Sequence, residues 1–147
     1  MGKIRRRTKA RELALQFLYM TDISGREDLD PAGLDRFYTW QNVTDAEVRD
    51  FAHALVTGYY AHRDEIRERI MPLIKNWTED RLTVVDRNIL RMASFELSFM
   101  ADVPFKVTIN EAIDLGKKYS TPESGKFVNG ILDEYARRYA AGKTGRP

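Results

Sequence analysis

Apolar residues recur at helical spacing in almost every segment of this chain, and no segment alternates convincingly in the manner of a half-buried strand. The helical period places these apolar side chains along one stripe of each helix, which must be buried against other helices. Since 43% of the 147 residues are hydrophobic, the chain can fill one core. We therefore predict an all-α fold, a compact single-domain bundle of about seven helices.

The helix starts are predicted from residues that can satisfy the free N–H groups of a first turn. The first helix is expected to begin near Thr8, and Pro72 is expected to bend or end the fourth. The helix after Thr83 is apolar around most of its circumference, so it belongs in the middle of the bundle. The other capping signals are Asp30-Pro31, the capping boxes Thr44–Glu47 and Thr108–Glu111, and Thr121-Pro122 before the last helix.

The first eleven residues carry six positive charges and no acidic residue, although the whole chain has a formal net charge of only +2. The basicity is therefore local, and a local basic run beside an amphipathic helix is the electrostatic footprint of a polyanion-binding site. The alternative is a solvated terminus that aids solubility. We predict a flexible basic arm at residues 1–7, one all-helical RNA-binding domain at residues 8–141 and a disordered tail at residues 142–147.

Aromatic and phosphate-binding features accompany the basic run. Tyr19 lies about 80° around the first helix from Arg11, and a ring in such a position can stack on an unpaired base. Lys126 and Phe127 fall in the early turns of the last helix, where unpaired N–H groups and the helix dipole favour phosphate. Phe127 fits a place in the core equally well, and this alternative stays open.

Enzyme chemistry has no support in the residues. The chain has no cysteine, and His53 and His62 lie nine positions apart, which is not the spacing of a helical metal pair. Gly142–Thr144 ends like a phosphate-binding loop, but Arg137 stands where the first glycine of that motif is required. We expect no metal, no cofactor and no catalytic residues. No apolar run approaches the roughly 18 residues of a membrane span, so we expect a cytoplasmic protein without membrane contact.

Four segments carry a resemblance to a known family: Arg11–Tyr19, Val85–Leu97, Val103–Ala112 and Lys126–Asp133. Together and in this order they resemble the NusB family of bacterial transcription antitermination factors, over nearly the whole chain. The resemblance implies a non-enzymatic, all-helical RNA-binding protein. It also implies that the chain pairs with a small-subunit ribosomal protein, Nus factor E. The pair would bind boxA single-stranded RNA of nascent transcripts and help RNA polymerase read through terminators, notably in ribosomal RNA operons.

The resemblance also implies site residues. The basic run, Tyr19 and the stretch from Glu123 to Phe127 match the RNA-facing region of the family, and Asp86 matches a partner-facing acidic position. Thr8 within the basic run and Ser120–Pro122 before the last helix depart from the family pattern. Charge pattern and resemblance together predict RNA-binding roles for Arg5, Arg6, Arg7, Lys9, Arg11, Tyr19, Lys126 and Phe127.

Three alternatives remain open at this point. Similar helical domains form the N-terminal RNA-binding part of ribosomal RNA cytosine methyltransferases, but this sequence contains neither a catalytic domain nor a cysteine nucleophile. A helix-turn-helix DNA-binding protein would carry its basic residues on a short helix pair rather than on an arm. A purely protein-binding adaptor would have no RNA affinity. Helical periodicity does not choose between a homodimer and a heterodimer.

Overall fold

The computed structural model describes residues 1–75 and 82–140, and within them the chain forms seven α-helices and no strand. The predicted all-α class is therefore confirmed. The sequence also predicts that Trp77 lies in the connection before the fifth helix; this residue and the tail at residues 142–147 lie outside the described residues. The helices are α1 (Lys3–Ile23), α2 (Pro31–Trp40), α3 (Ala46–Ala61), α4 (Arg63–Ile74), α5 (Val84–Phe99), α6 (Phe105–Tyr119) and α7 (Ser124–Tyr139).

Backbone contacts divide the chain into two compact units, Met1–Ala61 and His62–Pro147. The single domain expected at residues 8–141 stays a prediction. Among the described residues, no helix is both long enough and apolar enough to cross a membrane.

In the first unit, α1 packs along α3, and α2 joins them through an edge-to-face contact between Phe17 and Phe37 at 5.4 Å. The start of α2 is confirmed: Asp30 precedes Pro31 and accepts a hydrogen bond from the Gly33 amide at 3.1 Å. Such a cap satisfies one of the free N–H groups of the first turn.

The start of α1 differs from the prediction, because the helix begins at Lys3 rather than near Thr8. The intervening residues contain no proline or glycine, and Arg and Lys are good helix formers, so nothing in this segment stops the helix. The Arg6 amide donates to the Gly2 carbonyl at 3.0 Å. Most residues of the expected flexible arm therefore belong to the first turns of α1.

The cap of α3 is Asp45, one residue after the predicted Thr44. Its Oδ1 accepts from the amides of Glu47 at 2.9 Å and Val48 at 3.2 Å. A carboxylate is a stronger acceptor than a hydroxyl for amides at the positive end of a helix. This choice also leaves the second carboxyl oxygen available for another contact.

In the second unit, α5 packs against both α6 and α7, and α4 lies against α5 and α7. The central position expected for α5 within a bundle is found inside this unit, since ten of its residues are buried. Thr83 caps α5 as predicted, and its Oγ1 accepts from the Asp86 amide at 3.0 Å. Pro72 lies inside α4, which ends two residues later at Ile74.

The predicted capping box Thr108–Glu111 is wrong, because α6 already begins at Phe105, directly after Pro104. Thr108 is therefore inside the helix and buried, and its hydroxyl donates to Glu96 Oε1 of α5 at 3.1 Å. The hydroxyl that was expected to cap a helix instead partners a buried carboxyl group.

Two glycines let α6 and α7 approach closely. A Cβ atom on Gly116 would lie 2.8 Å from the Ser124 hydroxyl, and one on Gly125 would lie 3.1 Å from Lys117 Cε and 3.3 Å from Ile113 Cγ2. The start of α7 is consequently fixed against α6. The helix begins at Ser124, not at the predicted Thr121-Pro122, because residues 122 and 123 form a turn.

Candidate nucleic-acid interface

The solvent-facing side of α1 carries two of the predicted cations and the predicted aromatic ring. At 100° per residue, Arg5, Lys9 and Tyr19 lie within about 80° of one another around the helix. All three are exposed, Tyr19 to 39%. The side chains of Arg5 and Lys9 form no hydrogen bond or ion pair with another described residue. We call these three residues the α1 face; their charges and ring are open to solvent.

Arg6 points away from the α1 face toward the start of α3. Its Nε donates to Asp45 Oδ2 at 2.9 Å and lies 3.7 Å from Glu47 Oε2. The hydrogen bond from Arg6 and those from the Val48 and Glu47 amides hold the pKa of Asp45 below its usual value. The same hydrogen bond raises the pKa of Arg6. The Arg6 guanidinium is thus paired with the residue that caps α3.

We expect the change Arg6→Ala to raise the pKa of Asp45 toward the ordinary value of an aspartate, because the hydrogen bond that does most to stabilise its charged form is removed. A carboxyl whose pKa is depressed by folding stabilises the protein above its unfolded-state pKa and loses that effect as the pH falls through the folded value. Carbon NMR titration of the Asp45 carboxyl group measures the shift directly. An unchanged titration curve would show that the helix cap alone sets this pKa.

Arg7 and Arg11 pack on an aromatic ring of α3. Their guanidinium carbons lie 4.6 Å and 5.2 Å from the centroid of Phe51, within the range of cation–π attraction. Arg7 is half-buried and adjoins a groove of about 650 Å³, whose lining also includes Lys3 and Asp50. Arg11 is only 2% exposed. The predicted RNA contact of Arg11 is therefore corrected: its guanidinium is in the interior, where no phosphate reaches it.

In the second unit, two neighbouring predicted residues have opposite environments. Lys126 is exposed, whereas Phe127 is 2% exposed. Phe127 belongs to the buried stripe of α7 with Val128 and Ile131, and the preceding position lies about 100° around the helix. A buried ring offers no face to a base, so the RNA-stacking role predicted for Phe127 is corrected to a core role.

Asp86 is likewise inside the second unit, with 1% of its surface exposed. The Ser124 hydroxyl donates a hydrogen bond to its Oδ1, and Thr83 Oγ1 lies 3.0 Å from the Ser120 hydroxyl. These contacts join the start of α5 to both ends of the α6–α7 connection. The predicted partner-facing role is corrected accordingly: the carboxyl group of Asp86 holds the start of α7 and presents no open surface.

Catalytic and metal sites were not expected. Among the described residues, no group of three or more His, Cys, Asp or Glu side chains is arranged to hold a metal ion. The α1 face does combine exposed cations with an exposed aromatic ring, and Lys126 is an exposed cation of the second unit. Cations can bind phosphates and an aromatic ring can stack on an unpaired base, so this combination suits binding of nucleic acid.

Comparison with known proteins decides the family. The sequence model of the NusB family matches residues 8–137. This chain belongs to the NusB family. The transcription antitermination protein NusB of Anaeromyxobacter dehalogenans strain 2CP-1 is 51% identical over 131 residues, covering 89% of this chain and 90% of that protein. NusB of Thermodesulfovibrio yellowstonii is 37% identical over 143 residues, covering 90% and 92%. The NusB family is one of antitermination factors and not of enzymes, as the sequence led us to expect.

Solved NusB structures have the same fold. T. maritima NusB superposes with a TM-score of 0.78 at 35% identity and covers 91% of this chain and 92% of its own. The NusB chain in a crystal structure of the antitermination factors NusB and NusE in complex with dsRNA gives a TM-score of 0.78 at 29% identity. It covers 95% of this chain and 100% of its own. The expected NusB-like helical fold is therefore confirmed.

Proposed function

We propose that this NusB-family chain binds boxA-type single-stranded RNA of nascent transcripts, notably those of ribosomal RNA operons. It would do so in the cytoplasm, as a pair with the small-subunit ribosomal protein Nus factor E, within the antitermination complex of RNA polymerase. Family membership supports this proposal. The crystal structure of NusB and NusE in complex with dsRNA supports the partner and the binding of RNA.

The observation that carries the proposal is the α1 face. Arg5 and Lys9 are exposed cations without an acidic partner among the described residues, and Tyr19 shares their side of the helix. Cations of this kind bind phosphates of any sequence, and an exposed ring stacks on an unpaired base. Charge therefore supplies attraction, while sequence preference requires contacts with the bases and with the second protein.

The proposed RNA surface is smaller than the set predicted from the sequence. The first unit contributes Arg5, Lys9 and Tyr19 of the α1 face, and Lys126 is a separate candidate contact on the second unit. Arg6 and Arg7 contribute through the field of their charges while their side chains remain on α3. Arg11, Phe127 and Asp86 are left out because they are buried.

The test is a titration of the full chain with labelled boxA-like and scrambled single-stranded RNA, each with and without the ribosomal partner. We expect tighter binding of the boxA-like strand, and a larger difference when the partner is present. Equal affinity for both strands in both conditions would contradict the antitermination role and leave nonspecific RNA binding. Absence of RNA binding even with the partner would favour a protein-binding adaptor.

The double change Arg5→Gln and Lys9→Gln is expected to flatten the slope of log K against log[salt] by about 1.4, since each single-strand phosphate contact contributes roughly 0.7. Fluorescence anisotropy across a salt series measures the slope. The matched control is Arg36→Gln with Arg49→Gln, which removes the same charge from exposed positions on α2 and α3. If both pairs flatten the slope equally, net charge and not the α1 face accounts for the effect.

A further inference from the structure

Tyr119, the last residue of α6, is an exposed aromatic ring inside a basic cluster. Its side chain is 45% exposed, and Lys118 Nζ lies 5.2 Å from its ring centroid. Lys117 and Lys118 in the same last turn are both exposed. We infer that Tyr119, with these two lysines, is a second stacking site for unpaired RNA bases, in the role predicted for the buried Phe127. This inference rests on the RNA-binding function proposed above.

The backbone at Tyr119 is held by hydrogen bonds of the residues that follow it. The Ser120 amide donates to the Gly116 carbonyl at 2.9 Å, which closes the end of α6. The Ser120 hydroxyl lies 3.0 Å from Thr83 Oγ1 of α5, and the Ser124 hydroxyl donates to Asp86. A backbone held in this way loses little further conformational entropy when a base stacks on the side chain that it carries.

The close approach of α6 and α7 places further cations at the end of α6 and the start of α7. The Lys117 side chain runs beside Gly125, since a Cβ atom there would lie 3.1 Å from Lys117 Cε. Lys126, the next residue of α7, is exposed. Lys118 thus lies beside the Tyr119 ring, and Lys117 and Lys126 are further exposed cations at the end of α6 and the start of α7, where Asp114 and Glu123 are exposed as well.

The chemistry of this cluster fits a single strand better than a duplex. Lysine side chains bind phosphates of either form, but a ring can stack only on a base whose face is free. Bases in a duplex are already stacked on one another. Loss of the Tyr119 ring should therefore weaken binding of single-stranded RNA much more than binding of double-stranded RNA.

The experiment uses the full chain and a boxA-like single strand in which 2-aminopurine replaces one base at a time. We expect Tyr119→Ala to raise Kd by about 5- to 100-fold, and to abolish the fluorescence quenching at the position that stacks on the ring. Tyr119→Phe, which keeps the ring, should retain both. Trp40→Ala is the matched control, since Trp40 is a 72% exposed ring on α2. It should leave Kd unchanged.

The outcomes separate this inference from the proposed function. If the unaltered chain binds no RNA with or without the ribosomal partner, the proposed function itself fails. If Tyr19→Ala weakens RNA binding while Tyr119→Ala binds RNA and quenches 2-aminopurine like the unaltered chain, this result overturns the second stacking site alone. Should Tyr119→Ala unfold, Lys117→Gln with Lys118→Gln replaces it. That pair should flatten the salt slope by about 1.4, and an unchanged slope would equally overturn the inference.

Discussion

Replacing Phe127 with alanine is expected to lower the free energy of unfolding by about 3–5 kcal/mol, the usual loss when a buried aromatic side chain is truncated. The ring is 2% exposed and shares the buried stripe of α7 with Val128 and Ile131. Removing it leaves a cavity in addition to the lost apolar burial. Urea unfolding followed by circular dichroism measures the change.

The neighbouring Lys126 supplies the control for Phe127. Lys126→Ala is an exposed substitution near the helix start and should change stability by no more than about 0.5 kcal/mol, while weakening RNA binding. The two adjacent changes thus affect different properties. Full stability of Phe127→Ala combined with lost RNA affinity would return Phe127 to the RNA surface.

Replacing Asp86 with alanine is expected to destabilise the fold by about 1.5–3 kcal/mol, because the buried Ser124 hydroxyl loses its acceptor. Removing both partners avoids part of that penalty, so Asp86→Ala with Ser124→Ala should cost less than the sum of the single changes. A double-mutant cycle in urea gives the coupling energy. Asp86→Asn keeps an acceptor oxygen and should lose less.

The cycle also tests the role that the family resemblance implied for Asp86. A structural Asp86 predicts that the folded fraction of Asp86→Ala keeps its affinity for the ribosomal partner, measured by calorimetry. If stability were unchanged and partner affinity fell, the carboxyl group would have to face the partner, as the sequence first indicated.

Much of the fold could be predicted because it depends on local patterns. The helical period identified the helices, and the caps at Asp30 and Thr83 were read from single residues and their neighbours. The predicted helix starts were wrong where a neighbouring residue formed the cap, or where a contact with a residue far away in the sequence engaged the expected cap. Thr108 has the sequence of a cap, but its hydroxyl is engaged by Glu96, twelve positions away.

The site was harder to predict than the fold, since charge alone does not tell where a side chain lies. Six basic residues near the N-terminus look equivalent in the sequence, yet Arg5 is exposed, Arg6 is paired with Asp45 and Arg11 is buried beside Phe51. The acidic and aromatic partners are about forty positions away on α3, beyond the reach of periodicity. Tyr119 was missed because its exposure depends on where α6 ends.

The helical start of α1 affects the entropy cost of binding a polyanion. Because α1 is already helical from Lys3, its backbone does not have to be ordered when a polyanion arrives. Ordering an unstructured segment costs about 1–2 kcal/mol of backbone entropy per residue, and here that cost falls on folding. The proposed N-terminal contacts would therefore start from a preformed helix, and binding would resemble docking more than folding upon binding.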